Sequence, residues 1–257
     1  MSLFIELKNI VNQLRDPEKG CPWDRRQTAK SLISNFIEEV YEAVEAIEDG
    51  DDTLLAEELG DILLHIMLQI QIAEEKKAFT LDDVLTNITN KLIRRHPHVF
   101  GDIAVETSEQ AKLNWENIKL KEKKDERKSV LEGVPKNLPA LIQAQRIQEK
   151  AASVGFDWDS PEPVFEKIYE EISEVKEEIK KGEIGSDLEL EIGDLFFAVV
   201  NLSRKLKIDS ETALRASTEK FNSRFKKVER LCEERQIDMR DLDLEALDEL
   251  WDTVKKN

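Results

Sequence analysis

The chain repeats its own sequence across its two halves, and this repeat limits its possible folds more than any other feature. Four short segments return in the same order, at separations of 135, 132, 133 and 129 residues. A nearly constant separation over four segments indicates a duplicated domain. The matched segments are GCPWD at 20–24 with GFDWD at 155–159, EEVYE at 38–42 with EEISE at 170–174, ELGDIL at 58–63 with EIGDLF at 191–196, and the pair Lys91 and Arg95 with the pair Lys220 and Arg224.

A highly charged segment separates the two repeats. Residues 119–128 read KLKEKKDERK, and a stretch with two prolines follows. This pattern predicts an exposed helix end that leads into a linker, and the interleaved acids favour a solvated hinge over a nucleic-acid contact. We therefore expect a first repeat at 1–118, a charged linker at 119–135 and a second repeat with a C-terminal tail helix at 136–257.

The apolar residues of each repeat recur with helical spacing. Between Leu32 and Ile47 they form one stripe at i, i+3 and i+4, and a second helix is predicted from about Leu54 to Glu75. Short alternating segments typical of strands are nearly absent, and the chain has only 9 glycines and 7 prolines. The sequence therefore predicts an all-α fold, in which helical hairpins pack into two tandem bundles.

The charge balance and the cysteine content exclude several classes of protein. Acidic residues outnumber basic ones by 55 to 38, which gives a net charge of −17 and disfavours binding to nucleic acid. No apolar stretch is long enough to predict a membrane span. Cys21 and Cys232 lie far apart, so they predict neither a disulfide framework nor a zinc site and are typical of a reducing, cytoplasmic location.

The second helix of each hairpin carries acidic residues on a largely apolar surface. A helix that is apolar on most sides is typically buried. Its carboxylates must be paired or must bind a cation, because an uncompensated buried charge is costly. The preceding helix offers no row of lysines or arginines but further acids. The candidate ligands are Glu39, Glu42, Glu58 and Asp61 in the first repeat, and Glu171, Glu174, Glu191 and Asp194 in the second.

Hairpin geometry places these acids at the same height in each repeat. The midpoint between Glu42 and Glu58 falls at residue 50, inside the predicted turn, and the midpoint between Glu174 and Glu191 falls beside Gly182. Four converging carboxylates repel one another, and their natural counter-ion is a hard divalent cation, Mg²⁺ or Mn²⁺. The alternative is that these glutamates face solvent on a charged helix.

The pattern Glu-Glu-x-x-Glu, followed by Glu-x-x-Asp on the next helix, resembles the MazG family of all-α nucleoside triphosphate pyrophosphohydrolases. GCPWD at 20–24, RRHPHVF at 94–100 and VGFDW at 154–158 add to the resemblance, which covers nearly the whole chain. It implies Mg²⁺-dependent hydrolysis of ribo- or deoxyribonucleoside triphosphates to the monophosphate and pyrophosphate. It also implies a homodimer whose active sites are completed across subunits.

Cationic side chains are present for a triphosphate. No phosphate-binding loop of the form GxxxxGK[ST] occurs, so metal ions and basic residues would have to hold the phosphates. Lys91 and Arg95 in the first repeat are spaced i, i+4, as are Lys220 and Arg224 in the second. Each pair therefore lies on one helix face and can bind one polyphosphate.

Four further residues complete the predicted sites. Glu38 and Glu170 are extra acids that can orient or deprotonate the attacking water. The resemblance implies that Lys167 lies near the nucleotide and that Trp251 stacks on the base. Because only the second repeat ends in an amphipathic tail with such a tryptophan, we expect it to carry most of the activity.

Two other classes of function stay open from the residues alone. A carboxylate-bridged di-metal oxidase normally carries Glu-x-x-His on two of its helices, whereas the corresponding i+3 positions of this chain hold acids. A non-catalytic acidic scaffold that binds a partner protein is the other alternative. The recurrence of the same acidic pattern in both repeats disfavours it.

Overall fold

The protein consists of two compact helical units, described here by a computed structural model that covers residues 3–122, 129–182 and 185–256. The units comprise Met1–Lys123 and Lys124–Asn257. No strand occurs within the three described ranges, which confirms the predicted all-α fold. None of the described helices is long and apolar enough to cross a membrane.

The first unit is built on a helical hairpin. Its helices are α1 (Leu3–Leu14), α2 (Pro22–Arg26), α3 (Ile33–Asp49), α4 (Asp52–Glu75), α5 (Leu81–Arg95), α6 (Pro97–Phe100) and α7 (Ser108–Glu122). The helices α3 and α4 form the hairpin, and α1 packs on α4. Val11 of α1 is buried together with Met67 and Ile70 of α4. Burial of such side chains stabilises the fold by about 1.5–3 kcal/mol each, and it fixes α4 in place.

The local sequence explains why the hairpin turns where it does. Gly50 ends α3 with a φ of +70°, a left-handed conformation that glycine adopts without steric cost. Asp51 then caps α4, because its carboxylate accepts hydrogen bonds from the backbone N–H groups of Thr53 and Leu54, each at 3.0 Å. The predicted second helix is observed as Asp52–Glu75.

The second unit repeats this plan. Its helices are α8 (Ala140–Ala152), α9 (Glu162–Lys181), α10 (Ser186–Lys205), α11 (Ser210–Glu234) and α12 (Leu244–Lys256), with a 3₁₀ turn at Met239–Asp241. The helices α9 and α10 form the hairpin, α8 packs on α10, and α12 packs on α11. Gly182 ends α9 with a φ of +79°, in the position that Gly50 has in the first unit. The predicted tail helix is therefore α12.

The domain boundaries expected from the sequence, 1–118, 119–135 and 136–257, stay predictions. The helix α7 continues through Glu122 and so includes the first residues of the predicted linker. Residues 123–128 of that linker lie outside the described residues.

Candidate functional site

The first unit gathers three carboxylates on its hairpin. The helix α3 presents Glu39, and α4 presents Glu58 and Asp61, which are one turn apart. Each of the three carboxylates contributes one oxygen, and these three oxygens lie within 4.8 Å of one another. Glu58 is only 8% exposed, so its charge is poorly solvated and needs a counter-charge. We call these three residues the first cluster.

The second unit has a matching group, which we call the second cluster. It consists of Glu171 on α9 with Glu191 and Asp194 on α10, and its oxygens lie within the same 4.8 Å of one another. These acids follow their first-unit counterparts by 132, 133 and 133 residues. The duplicated sequence therefore folds into a duplicated arrangement of carboxylates.

The fourth predicted ligand of each unit adjoins its cluster. Glu42 lies within hydrogen-bonding reach of Glu39, and Glu174 lies within the same reach of Glu171. The pKa of Glu39 is raised by burial and then by the negative charges of Asp61 and Glu42. The pKa of Glu174 is raised by its hydrogen bond to Glu171 and then by burial. Glu39 and Glu174 therefore hold their negative charge at a free-energy cost.

The clusters have the donor set of a divalent-cation site. Burial, followed by the charges of Glu42 and Glu39, also raises the pKa of Glu58. Two oxygens on opposite sides of a hard divalent ion lie about 4–5 Å apart, and the oxygens of each cluster, all within 4.8 Å of one another, are close enough to contact one ion. Carboxylate oxygens are the ligands that Mg²⁺, Mn²⁺ and Ca²⁺ prefer. The residues present therefore fit a divalent cation.

The two clusters face different basic side chains. In the second unit the Lys167 ammonium is 2.7 Å from Glu171 and 2.9 Å from Glu170. These ion pairs raise the pKa of Lys167, so it stays charged. In the first unit Nε2 of His65 lies 3.6 Å from Glu39. Sequence reasoning missed both contacts, although the i, i+4 spacing of Lys167 and Glu171 was a usable signal.

The predicted catalytic acids and the lysines of the two cationic pairs lie at the surface. Glu38 and Glu170 are exposed, and each precedes a cluster carboxylate by one residue. Lys91 on α5 and Lys220 on α11 are also exposed. All four side chains are thus accessible to a solute.

The arginines of the two cationic pairs differ. Arg95 is 9% exposed, and its Nε and Nη2 donate hydrogen bonds of 3.1 and 2.7 Å to one oxygen of Glu122. Its guanidinium also lies 5.1 Å from the centre of the Trp115 ring. Together with Arg94, Arg95 lowers the pKa of Glu122 to about 2. Arg95 was predicted to bind a phosphate, but in the structure it binds the carboxylate of Glu122 on α7.

Arg224 has a different environment. It is half-buried, and within the part of the chain that the structure describes it forms no ion pair. In the same unit Trp251 of α12 packs against Phe221 of α11, with ring centres 5.1 Å apart. Trp115 of α7 and Trp251 of α12 thus both pack against the helix that carries the cationic pair. From the sequence we expected a tryptophan on an amphipathic tail, able to cover a nucleotide base, in the second repeat alone.

The sequence matches the MazG nucleotide pyrophosphohydrolase domain twice, over residues 27–100 and 159–229. It is 49% identical over 253 residues to the nucleoside triphosphate pyrophosphohydrolase/pyrophosphatase MazG of Thermotoga maritima, which covers 98% of this chain and 96% of that protein. It is 44% identical over 260 aligned positions to the nucleoside triphosphate pyrophosphohydrolase of Escherichia coli K12, which covers 100% of this chain and 98% of that protein. With both clusters inside the matched segments, the chain belongs to the MazG nucleotide pyrophosphohydrolase family and carries its domain twice.

Proposed function

We propose that the protein hydrolyses ribo- or deoxyribonucleoside triphosphates between the α- and β-phosphates, to the monophosphate and pyrophosphate, with Mg²⁺ or Mn²⁺ as cofactor. The observation that carries the proposal is the carboxylate cluster, present in both units of a MazG-family chain. The relatives from T. maritima and E. coli are named for the hydrolysis of nucleoside triphosphates.

The second unit offers each group that this reaction needs. Glu171, Glu174, Glu191 and Asp194 would hold the metal, which when bound activates water and offsets charge on the phosphates. Glu170 is exposed beside this cluster, where it can accept the proton of the attacking water.

Substrate binding would use other side chains of the second unit. Lys220 and Arg224 carry positive charge for the phosphates. Trp251 would stack on the base, an interaction that contributes about 1–3 kcal/mol. Lys167 would lie near the nucleotide, as the family resemblance implies.

We assign most of the activity to the second unit. In the first unit Arg95 is already hydrogen-bonded to Glu122, and Trp115 is flanked by Arg95 and Lys119 at 5.1 and 4.6 Å. A triphosphate at the first unit would have to displace these contacts, whereas Arg224 forms no ion pair within the described residues. The carboxylates Glu39, Glu42, Glu58 and Asp61 would still hold a cation there.

The proposal includes a homodimer. Large apolar side chains are exposed on the hairpin of the second unit, among them Tyr169, Leu190 and Phe196. Exposed apolar patches mark contact surfaces, and a second copy of the hairpin would complete a four-helix bundle that covers them. We expect light scattering after size exclusion to give twice the mass of one chain, and Phe196→Asp to give one chain. Phe156→Asp, at an exposed residue outside the hairpin, is the control, and a monomeric wild type would refute the dimer.

The activity is tested by pyrophosphate release from ATP and dGTP, with Mg²⁺ and with EDTA. We expect release that requires the metal and that falls at least tenfold in Glu191→Gln, because one anionic ligand is lost. Glu189→Gln, at an exposed acid on the same helix outside the cluster, should keep the wild-type rate. Equal rates in Glu191→Gln and Glu189→Gln would refute the assigned site.

A further inference from the structure

The two clusters contain the same kinds of acid. They differ in the residue that lies four positions before Glu39 on α3 or Glu171 on α9. In the second unit this residue is Lys167, four positions before Glu171. In the first unit the same step back from Glu39 leads to Asn35. Two sites with the same carboxylates therefore differ by one positive charge.

The charge of Lys167 lies at the edge of the second cluster. Its Nζ is 2.7 Å from a carboxylate oxygen of Glu171, a residue that is only 4% exposed. An ion bound by Glu171 would be a few ångströms from this ammonium. Because both are cations, Lys167 must weaken the binding of the ion.

The first cluster has no equivalent charge among its described neighbours. His65 faces Glu39 at 3.6 Å, but its imidazole is 6% exposed and its Nδ1 has no hydrogen-bond partner. The counterpart of His65 in the second unit is Ala198, 133 residues later. On the side of Glu39 the first cluster thus has a buried imidazole, where the second cluster has the Lys167 ammonium beside Glu171.

We propose that the first cluster is the tighter divalent-cation site of the free protein, and that Lys167 makes the second cluster the weaker one. This inference rests on the proposed function only in that both clusters hold a divalent cation. The first unit would keep its ion between turnovers, whereas the second unit would acquire its ion together with the polyphosphate, whose negative charge would compensate the Lys167 ammonium. The duplicated sites therefore divide the work, one as a resident metal site and the other as a site for the metal–nucleotide complex.

The test is a Mn²⁺ titration of the full chain without nucleotide, followed by the electron paramagnetic resonance signal of free Mn²⁺. We expect two classes of site, the tighter one lost in Glu58→Gln and the weaker one lost in Glu191→Gln. A charge of one unit a few ångströms from a divalent ion changes its dissociation constant by about tenfold. Lys167→Gln should therefore tighten the second site, and Asn35→Lys should weaken the first, each by about tenfold.

A matched control separates this effect from net charge. Lys176→Gln removes a charge from the exposed part of the same helix α9 and should leave both dissociation constants unchanged. Circular dichroism spectra and melting curves establish that each variant is folded. If Lys167→Gln folds and leaves the second site unchanged, or if the tighter site is lost in Glu191→Gln, the inference is wrong while the hydrolase proposal stands. If neither cluster binds Mn²⁺, both proposals fail together.

Discussion

Replacing the two equivalent arginines, Arg95 and Arg224, should affect different properties, because Arg95 is already bound to Glu122 of the same chain. We predict that Arg95→Ala lowers stability and that Arg224→Ala lowers nucleotide affinity. Arg95 is buried against Trp115 and hydrogen-bonded to Glu122. Arg224 is half-buried and has no ion pair within the described residues.

The magnitudes follow from these environments. Breaking a buried pair by removing one partner costs about 3–5 kcal/mol, but Glu122 keeps a hydrogen bond of 2.5 Å from Arg94. We therefore expect Arg95→Ala to lower the free energy of unfolding by about 2–3 kcal/mol, or the melting temperature by about 10 °C. Arg224→Ala should cost less than about 1 kcal/mol of stability. A charge-assisted hydrogen bond to phosphate contributes about 1.5–3 kcal/mol, so its loss should weaken nucleotide binding about 10- to 150-fold.

Two assays on the full chain measure these effects. Urea denaturation followed by far-ultraviolet circular dichroism gives the stability, and calorimetric titration with a non-hydrolysable triphosphate analogue and Mg²⁺ gives the affinity. Arg146→Ala, which breaks an exposed i, i+3 pair with Glu149, is the control and should change stability by less than about 1 kcal/mol. The reasoning is refuted if Arg95→Ala leaves stability intact, or if Arg224→Ala leaves the affinity unchanged.

The carboxylates give two further predictions. Glu174→Gln should lower kcat/KM for triphosphate hydrolysis at least tenfold, whereas Glu42→Gln should lower it less than twofold. The reason is that we assign most of the activity to the second unit. A larger loss in Glu42→Gln than in Glu174→Gln would reverse that assignment. In EDTA, Glu58→Gln should be more stable than the wild type at pH 8, and this advantage should shrink towards pH 5. The folded state raises the pKa of Glu58, so it binds more protons than the unfolded state, and stability is lost as the pH rises through that pKa. Urea midpoints at both pH values measure this, and an advantage independent of pH would contradict it.

The fold could be predicted from the sequence because the features that determine it are local and occur in both repeats. The glycine and aspartate at residues 50 and 51 fix the hairpin turn, and the apolar stripes fix which faces pack. The arrangement of Glu39, Glu58 and Asp61 then follows from helix spacing and one turn position. Such features need no knowledge of distant contacts.

The environment of the predicted cationic residues could not be predicted, because it depends on contacts between residues far apart in the sequence. Arg95 and Glu122 are 27 residues apart, and Glu122 belongs to a charged run that the sequence analysis assigned to a linker. A run of alternating charges does not specify which acid turns back to α5. The contact of His65 with Glu39 crosses from α4 to α3, and its partner depends on how the two helices rotate against each other.

The most direct test of the central claim is the identity of the first products from ATP, with the full chain and Mg²⁺. Rapid quenching followed by anion-exchange separation and a pyrophosphate assay resolves the possible products. A metal held by the carboxylate clusters and a water directed at the α-phosphate predict AMP and pyrophosphate in equal amounts from the first turnover. ADP and orthophosphate as the first products would contradict the account.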